Sequence, residues 1–242
     1  VFDISSVTGG NKRNAIAREA SALCLVSKKD EEAFIRLFHD MAGEWTAEYK
    51  HTDPELVSRI SPAKMSGTTI DRDTVSRLVA ALYSCPHGVL AMSKDIPGLV
   101  ETSTNLASVK MDREQRTIRV GSSQRSAINS ARKNAAQRIE SLFLLAGARV
   151  SHEGEYPGWA PNPDSPILRI SEQAYQDLFN TPVKVRAIHA GLECGIFLDA
   201  YPCLDMISFG PTLKGVHAPT ERLDIASTVK FWDFLVEILK RV

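Results

Sequence analysis

The first part of the chain contains several short runs in which apolar residues alternate with polar ones or follow one another without a break. Such runs, when glycine, proline or asparagine bounds them, are typical of β-strands. The pair Gly9 and Gly10 separates the first two runs and predicts a turn between two strands. The runs that predict strands are residues 2–7, 14–26, 56–60, 88–92, 99–111, 117–122 and 149–155.

Other segments carry apolar residues every three or four positions, which is the spacing of one face of an α-helix. This pattern predicts a helix over residues 30–49 and another through residues 75–82 that ends before Pro86. A third, longer helix is predicted over residues 128–143. The order of strands and helices predicts a sheet with two helices on one face.

Residues 156–164 interrupt these patterns, because they contain three prolines and one glycine. This composition excludes a helix or a central strand. We interpret the stretch as a linker between two domains, which are residues 1–160 and residues 161–242.

The part after the linker has the pattern of the closing half of a parallel α/β domain. Ser165 followed by Pro166 predicts the start of a helix. Residues 183–188 predict a strand with one solvated face, and the mostly apolar residues 206–209 predict a strand covered on both faces. A terminal helix is predicted over residues 225–242. Its expected buried stripe is Ile225, Val229, Trp232, Val236 and Leu239.

Composition and charge exclude several classes of protein. The chain carries 29 basic and 29 acidic side chains, so nothing favours nucleic acid or an anionic membrane as a partner. No apolar run approaches the ~18 residues of a membrane span. The four cysteines form no C-x-x-C pair, which favours reduced thiols in a cytoplasmic protein. The sequence begins with valine and lacks a signal-peptide pattern, so we expect it to be part of a longer protein.

His217 follows the predicted strand at residues 206–209. A histidine at the end of a strand can present an imidazole nitrogen at the rim of a sheet, where metal sites of α/β folds are often built. The alternative is a partly buried loop histidine. The spacing alone leaves both roles open.

Three runs near the C-terminus carry a family resemblance, namely residues 189–195 (HAGLECG), 205–212 (DMISFGPT) and 217–219 (HAP). They resemble the C-terminal part of the bacterial aminoacyl-histidine (Xaa-His) dipeptidases, which are cytosolic metallopeptidases with two zinc ions. The resemblance extends over essentially the whole chain. It implies an α/β fold in which most of an α+β lid domain (residues 1–160) is followed by the C-terminal part of a zinc-peptidase α/β catalytic domain (residues 161–242).

The resemblance implies roles for four residues. In the family, the histidine that matches His217 is a zinc ligand. Asn14 matches an asparagine that faces the substrate from the lid. Arg125 matches an arginine that binds the substrate's C-terminal carboxylate, and a guanidinium suits this role because it donates two parallel hydrogen bonds. Glu193 would hold the substrate's amino end or orient a ligand.

Three of these residues also have simpler interpretations. Asn14 is equally suited to a turn, since asparagine readily bonds to its own backbone. The family's usual proline nearby is replaced by Ala17. Arg125 could be an exposed arginine before a helix, and Glu193 could stabilise a helix N-terminus.

We find none of the family's other catalytic groups in the sequence, so the chain has no catalytic residue of its own in this interpretation. His51 and Asp53 have the H-x-D form of a zinc ligand and its orienting aspartate, but they follow a predicted helix and not a buried strand. We interpret them as a polar connector. Glu31 and Glu32 resemble the family's paired glutamates, but they lie in the first turn of a helix, where carboxylates are favourable.

The resemblance implies hydrolysis of dipeptides, Xaa-His among them. A complete active site would hold two zinc ions that activate a water molecule, while a glutamate carries the proton. This chain would supply one metal ligand and the substrate-binding residues of the lid, and it would be inactive alone. A cytoplasmic homodimer formed through the lid is expected. The alternative is a non-catalytic binding or dimerisation module derived from such a peptidase.

Overall fold

A computed structural model describes residues 2–64, 67–94, 96–155, 157–159, 162, 164–186, 193–216 and 220–242, and at Glu193 it describes the backbone alone. The contacts of the chain divide it into two compact units. The first contains Val1–Cys85 and Leu106–Ser122, and the second contains Pro86–Asn105 and Ser123–Val242. The domain boundary predicted near residue 160 is not tested by this division and stays a prediction.

The first unit is built on antiparallel strands. Strand β1 (Phe2–Gly9) pairs with β2 (Ala20–Val26) along its length. It also meets β4 (Val100–Asp112), where Gly9 lies opposite Val109. The strands that the alternating pattern predicts at the start of the chain are therefore confirmed, although β2 begins later than expected.

The chain reverses direction after β1 as predicted, but Gly9 still pairs with Ala20 in the sheet, so the connection covers residues 10–19 and starts at Gly10. At Gly10 the backbone φ is +59°, which is in the left-handed region. A Cβ atom at this position would collide with the carbonyl oxygen of Ala107.

Two helices belong to the first unit, α1 (Glu31–Glu48) and α2 (Arg72–Ser84). The Asp71 carboxylate accepts a hydrogen bond of 2.8 Å from the Thr74 N–H and caps α2. Both helices were predicted from their spacing of apolar residues.

Strand β4 is divided between the units, since its residues 100–105 belong to the second and its residues 106–112 to the first. Strand β3 (Gly88–Met92) pairs antiparallel with β4, and Gly88 lies opposite Thr104. Strand β5 (Thr117–Ser126) also pairs with β4, so the order is β2-β1-β4-β3 with β5 attached to β4. Helix α3 (Asn129–Leu145) follows β5. Its buried residues are Ala135, Ile139 and Phe143.

The remaining elements of the second unit lie after residue 164. They are α4 (Pro166–Phe179), α5 (Glu193–Ala200), β6 (Leu213–Lys214), β7 (Arg222–Leu223) and α6 (Ile225–Leu239). The short strands β6 and β7 form a two-stranded ribbon. Together with the sheet, these helices give the mixed α/β class that the sequence predicts. Among the residues described, no helix combines the length and apolar character needed to cross a bilayer.

Helix α4 begins at the cap predicted from the sequence. The Ser165 hydroxyl accepts a hydrogen bond of 3.1 Å from the Leu168 N–H, and Pro166 occupies the first helical position. The Asp205 carboxylate accepts a second one, of 2.9 Å, from the Ile167 N–H. Two side chains therefore satisfy N–H groups that have no partner within the helix.

Helices α4 and α6 share a small core of Ala174, Phe234 and Ile238. The ring centre of Phe234 lies 5.3 Å from that of Tyr175 and 4.9 Å from that of Phe209. Edge-to-face aromatic contacts at such distances stabilise a core beyond the burial of area alone.

The predicted buried stripe of α6 is wrong for four of its five residues, and the fifth, Val236, is partly buried. Ile225, Val229, Trp232 and Leu239 are exposed by 82, 61, 61 and 66 %. Helix α6 carries apolar residues on two faces, and the face with Phe234 and Ile238 packs on α4. Helical spacing identifies apolar faces but does not say which one a neighbour covers.

Four predicted strands are also wrong, because no strand forms in the described residues among 56–60, 149–155, 183–188 and 206–209. A strand requires a hydrogen-bonded neighbour, which a local pattern does not reveal. Residues 149–155 are instead held to α3 by side chains, since Arg132 pairs with Glu155 at 2.6 Å and Glu140 bonds His152 at 3.2 Å. Residues 187 and 188 lie outside the described residues.

Candidate functional site

The end of β5 positions Arg125, which is its second-last residue and is half-buried. The next residue, Ser126, is buried, and its hydroxyl lies 2.9 Å from the hydroxyl of Thr102 in β4. The Ser126 hydroxyl also accepts a hydrogen bond of 3.0 Å from the Ile128 N–H. These contacts fix the backbone beside Arg125 between β4 and the start of α3.

The segment around Gly158 packs closely against this strand end. A Cβ atom on Gly158 would lie 2.6 Å from the carbonyl oxygens of Ser126 and Ala127, so only glycine permits this approach. The Gly158 N–H donates a hydrogen bond of 2.9 Å to the side-chain oxygen of Asn129. The proline-rich stretch is therefore attached to the end of β5 at this point.

Helix α5 begins at Glu193, and its start contacts the same segment. Gly195 is buried, and a Cβ atom there would collide with the carbonyl oxygen of Pro157. Pro157 and Gly158 thus touch both the start of α5 and the end of β5. The structure brings together the pieces of chain that carry Arg125 and Glu193, while the Glu193 side chain lies outside the described atoms.

Asn14 lies in the first unit, in an exposed turn. The Ala15 N–H donates a hydrogen bond of 3.3 Å to the carbonyl oxygen of Lys12 within this turn. The substrate-facing role and the turn role of Asn14 both stay predictions.

His217 lies outside the described residues, but the chain on both sides of it is described. Leu213 of β6 lies opposite Leu223 of β7. A Cβ atom on Gly215, where φ is +64°, would lie 3.0 Å from the carbonyl oxygen of Thr220. The two ends of the segment that contains His217 therefore lie close together.

The ribbon that carries these ends is bonded to the start of α6. The Thr212 N–H donates a hydrogen bond of 2.8 Å to the Ser227 hydroxyl, and the Asp224 N–H donates one of 3.0 Å to the Thr212 carbonyl oxygen. The Asp224 carboxylate caps α6 by accepting from the Ser227 N–H at 2.8 Å.

Asp205 is the first residue of the run 205–212, one of the three runs that carry the family resemblance, and it has a structural role at the start of α4. The Ile167 N–H and the Ser165 hydroxyl both donate to its carboxylate, and these bonds hold the pKa of Asp205 below its ordinary value of 3.8. Part of the sequence resemblance therefore reflects how this part of the fold is held together.

The paired glutamates and the H-x-D motif, which we interpreted as structural, lie in α1 and just after it. Glu31 and Glu32 occupy the first turn of α1. His51 and Asp53 follow α1, and His51 is an exposed turn residue. Across the part of the chain that the structure describes, no three His, Cys, Asp or Glu side chains are grouped so that they could hold a metal ion. The described residues alone do not fit a metal site.

Sequence reasoning missed the buried hydroxyl pair of Thr102 and Ser126 and the role of Asn129 beside Gly158. The pair joins residues 24 positions apart, which no local pattern reveals. A signal did exist, since Thr102 and Thr104 occupy alternate, buried positions of β4, where polar side chains require partners.

Comparison with known proteins identifies the class to which this fold and site belong. The family model described as peptidase family M20/M25/M40 matches residues 15–241. The chain belongs to this family of peptidases.

A curated relative of this chain is a dipeptidase. The chain is 35 % identical over 237 residues to the cytosol non-specific dipeptidase of Escherichia coli (strain K12), a match that covers 97 % of this chain and 48 % of the relative. The chain therefore spans about half the length of the curated relative that it matches.

Solved structures give a similar result. The crystal structure of aminoacylhistidine dipeptidase from Vibrio alginolyticus matches with a TM-score of 0.85 and 33 % identity, covering 100 % of this chain and 49 % of that chain. Aminopeptidase PepT from Bacillus cereus ATCC 10987 matches with a TM-score of 0.54 and 15 % identity, covering 69 % of this chain and 44 % of that one. The second match shows similarity of fold alone.

Proposed function

We propose that this chain supplies most of the lid (residues 1–160) and the last part of the catalytic domain (residues 161–242) of a zinc-dependent dipeptidase. The observation that carries the proposal is the similarity of nearly the whole chain to two dipeptidases, at 35 and 33 % identity. Because the match covers only about half of each relative, the activity belongs to the complete enzyme.

Within this proposal, Arg125 binds the C-terminal carboxylate of the dipeptide. A guanidinium can donate two parallel hydrogen bonds to a carboxylate. It binds the carboxylate more tightly when the backbone of the arginine is held in place, because the side chain is then already positioned. The buried hydroxyl pair of Ser126 and Thr102 supplies that support next to Arg125. Asn14 contacts the substrate from the lid, and Glu193 binds its amino end or orients a ligand.

His217 provides one ligand of the metal site. When bound, two zinc ions activate water and polarise the scissile carbonyl. A zinc site requires several ligands, and the described residues contain no group of three that could hold a metal. The remaining ligands and the glutamate base therefore come from the half of the enzyme that this chain does not span.

We further propose that the complete enzyme is cytoplasmic and forms a homodimer through the lid. Nothing in the balanced charge of the chain favours a nucleic acid or a membrane as partner. The alternative function, a non-catalytic binding or dimerisation module, would use the same fold without metal chemistry.

A complete enzyme that contains this chain distinguishes these functions. We expect it to hydrolyse dipeptides, to lose that activity when a chelator removes its metal, and to regain it when zinc is returned. If the complete protein hydrolyses no dipeptide of a broad panel while it holds zinc, the peptidase proposal is wrong and the binding module is favoured.

A further inference from the structure

Helix α3 holds the proline-rich stretch through two side chains near its start. The Arg132 guanidinium donates a hydrogen bond of 2.6 Å to the Glu155 carboxylate, and the Arg132 side chain is only 16 % exposed. One turn earlier in the helix, the side-chain oxygen of Asn129 accepts a hydrogen bond of 2.9 Å from the Gly158 N–H. Residues three positions apart lie on the same side of a helix. One side of α3 therefore binds the stretch at two points.

The second of these points lies where two parts of the proposed substrate site meet. Gly158 packs on the carbonyl oxygens of the two residues that follow Arg125, and its neighbour Pro157 packs on Gly195 at the start of α5. All of these residues belong to the second unit. Pro157 and Gly158, here called the spacer, thus lie between the strand end that carries Arg125 and the start of α5.

Asn129 binds the spacer without being part of the core. It is exposed and is the first residue of α3. Truncating an exposed side chain usually costs little stability, but it would leave the Gly158 N–H without this partner and the spacer less firmly held. A misplacement of about 1 Å is enough to weaken a substrate contact strongly. Replacement of Asn129 should therefore affect substrate binding more than folding.

We propose that Asn129 is a positioning residue for recognition of the substrate's C-terminal carboxylate. By holding the spacer between the end of β5 and the start of α5, Asn129 keeps Arg125 where its guanidinium meets the carboxylate. This inference rests on the proposed function. It adds to that function a residue whose effect on the substrate passes through Arg125.

The test measures the kinetics of the complete enzyme carrying Asn129→Ala with a dipeptide and with the C-terminal amide of the same dipeptide. We expect the KM for the dipeptide to rise at least about fivefold while kcat stays within about twofold, because a binding interaction is weakened. The KM for the amide should stay within about twofold, since the amide lacks the charge that Arg125 binds. The melting temperature and the zinc content should match those of the wild type.

Two further variants show whether the hydrogen bond itself is responsible. Asn129→Asp should keep KM within about twofold of the wild type, because a carboxylate oxygen can accept the same hydrogen bond. Asn162→Ala is the matched control, since Asn162 is an exposed asparagine of the same stretch whose side-chain oxygen accepts a hydrogen bond of 3.0 Å from the Asp164 N–H. This bond joins residues two positions apart, so its loss should leave KM within about twofold of the wild type.

Combining Asn129→Ala with Arg125→Ala separates a positioning role from a merely structural one. If Asn129 acts through Arg125, its replacement should change kcat/KM for the dipeptide by less than about twofold once Arg125 is absent. If the two losses multiply in the double variant, Asn129 acts independently of Arg125 and the inference is wrong.

Three other results would also overturn the inference: an unchanged KM in Asn129→Ala, an equal rise in KM for the dipeptide and its amide, and a failure of Asn129→Asp to retain the wild-type KM. Each of them leaves the proposed function in place, because the wild-type enzyme still hydrolyses dipeptides. A wild-type enzyme that hydrolyses no dipeptide contradicts the proposed function and removes this inference with it.

Discussion

Arg125 combines a half-buried side chain with a backbone held by buried hydroxyl groups, which is a suitable arrangement for binding a carboxylate. In the complete enzyme, we expect Arg125→Ala to cost about 1.5–3 kcal/mol with substrates that have a free C-terminal carboxylate. This corresponds to roughly a 10- to 150-fold loss in kcat/KM. The measurement compares a dipeptide with its C-terminal amide, and the amide should lose far less.

Arg119→Ala is the control for this measurement, because Arg119 is an exposed arginine on the same strand. It should leave both substrates nearly unaffected. An equal loss for the dipeptide and its amide in Arg125→Ala would remove the carboxylate-binding role.

The carboxylate of Asp205 stabilises the start of α4. Its pKa in the folded chain is below the ordinary value of 3.8, because the Ile167 N–H and the Ser165 hydroxyl donate to the ionised form. The contribution of Asp205 to stability is therefore full above pH 3.8 and is lost as the pH falls through the lower, folded-state pKa.

The test of this contribution is urea unfolding of the wild type and Asp205→Asn across the acid range. The free energies of unfolding should differ most near neutral pH and converge below pH 3.8. A difference that stays constant over this range would show that the carboxylate charge does not stabilise the helix start.

The sequence predicts the residues of this site that depend on local structure, but not those that depend on contacts between distant segments. Ser165 and Gly10 were predicted correctly because a helix cap and a turn are local features that depend on neighbouring residues. The contacts of Gly158 with Ser126 and of Gly195 with Pro157 join segments distant in the chain. Their glycines were visible in the sequence, but the partners that require glycine were not.

Among the helices and strands, α6 is a helix that the spacing of apolar residues predicts, although the same spacing does not predict which of its faces is buried. Phe234 is exposed by only 7 %, whereas Trp232 on the stripe is exposed by 61 %. We expect Phe234→Ala to lower the free energy of unfolding of the isolated chain by about 3–5 kcal/mol. Trp232→Ala should change it by less than about 1 kcal/mol, since truncating an exposed side chain removes few contacts.

Urea denaturation of both variants decides which face of α6 carries the core. If Trp232→Ala destabilises the isolated chain as much as Phe234→Ala does, the stripe is buried in solution and the face assignment is wrong.

The strand predictions that failed have a common physical cause. Residues 206–209 are mostly apolar, but the side chains around them pack on helices, and Phe209 lies 4.9 Å from the Phe234 ring. A strand forms only where a second strand supplies hydrogen bonds. The strands β1 to β5 could be predicted because their partners lie within this chain.

For the molecule as a whole, we expect that the chain by itself does not hydrolyse dipeptides. The reason is that one histidine cannot hold two zinc ions and that no base glutamate is expected in this chain. The measurement is dipeptide hydrolysis by the purified chain with added zinc, and the complete enzyme serves as the positive control. Metal-dependent turnover at a rate comparable with the complete enzyme would contradict the proposal that most of the metal ligands and the base lie outside this chain.

In the proposed two-zinc dipeptidase, this chain contributes a single metal ligand, His217. The most direct test measures zinc content and dipeptide hydrolysis of the complete enzyme carrying His217→Ala, with His51→Ala as the matched control. We expect that His217→Ala loses tightly bound zinc and nearly all turnover, whereas His51→Ala retains both. Two tightly held zinc ions with normal turnover in His217→Ala would show that His217 is not a metal ligand, whatever the effect on stability.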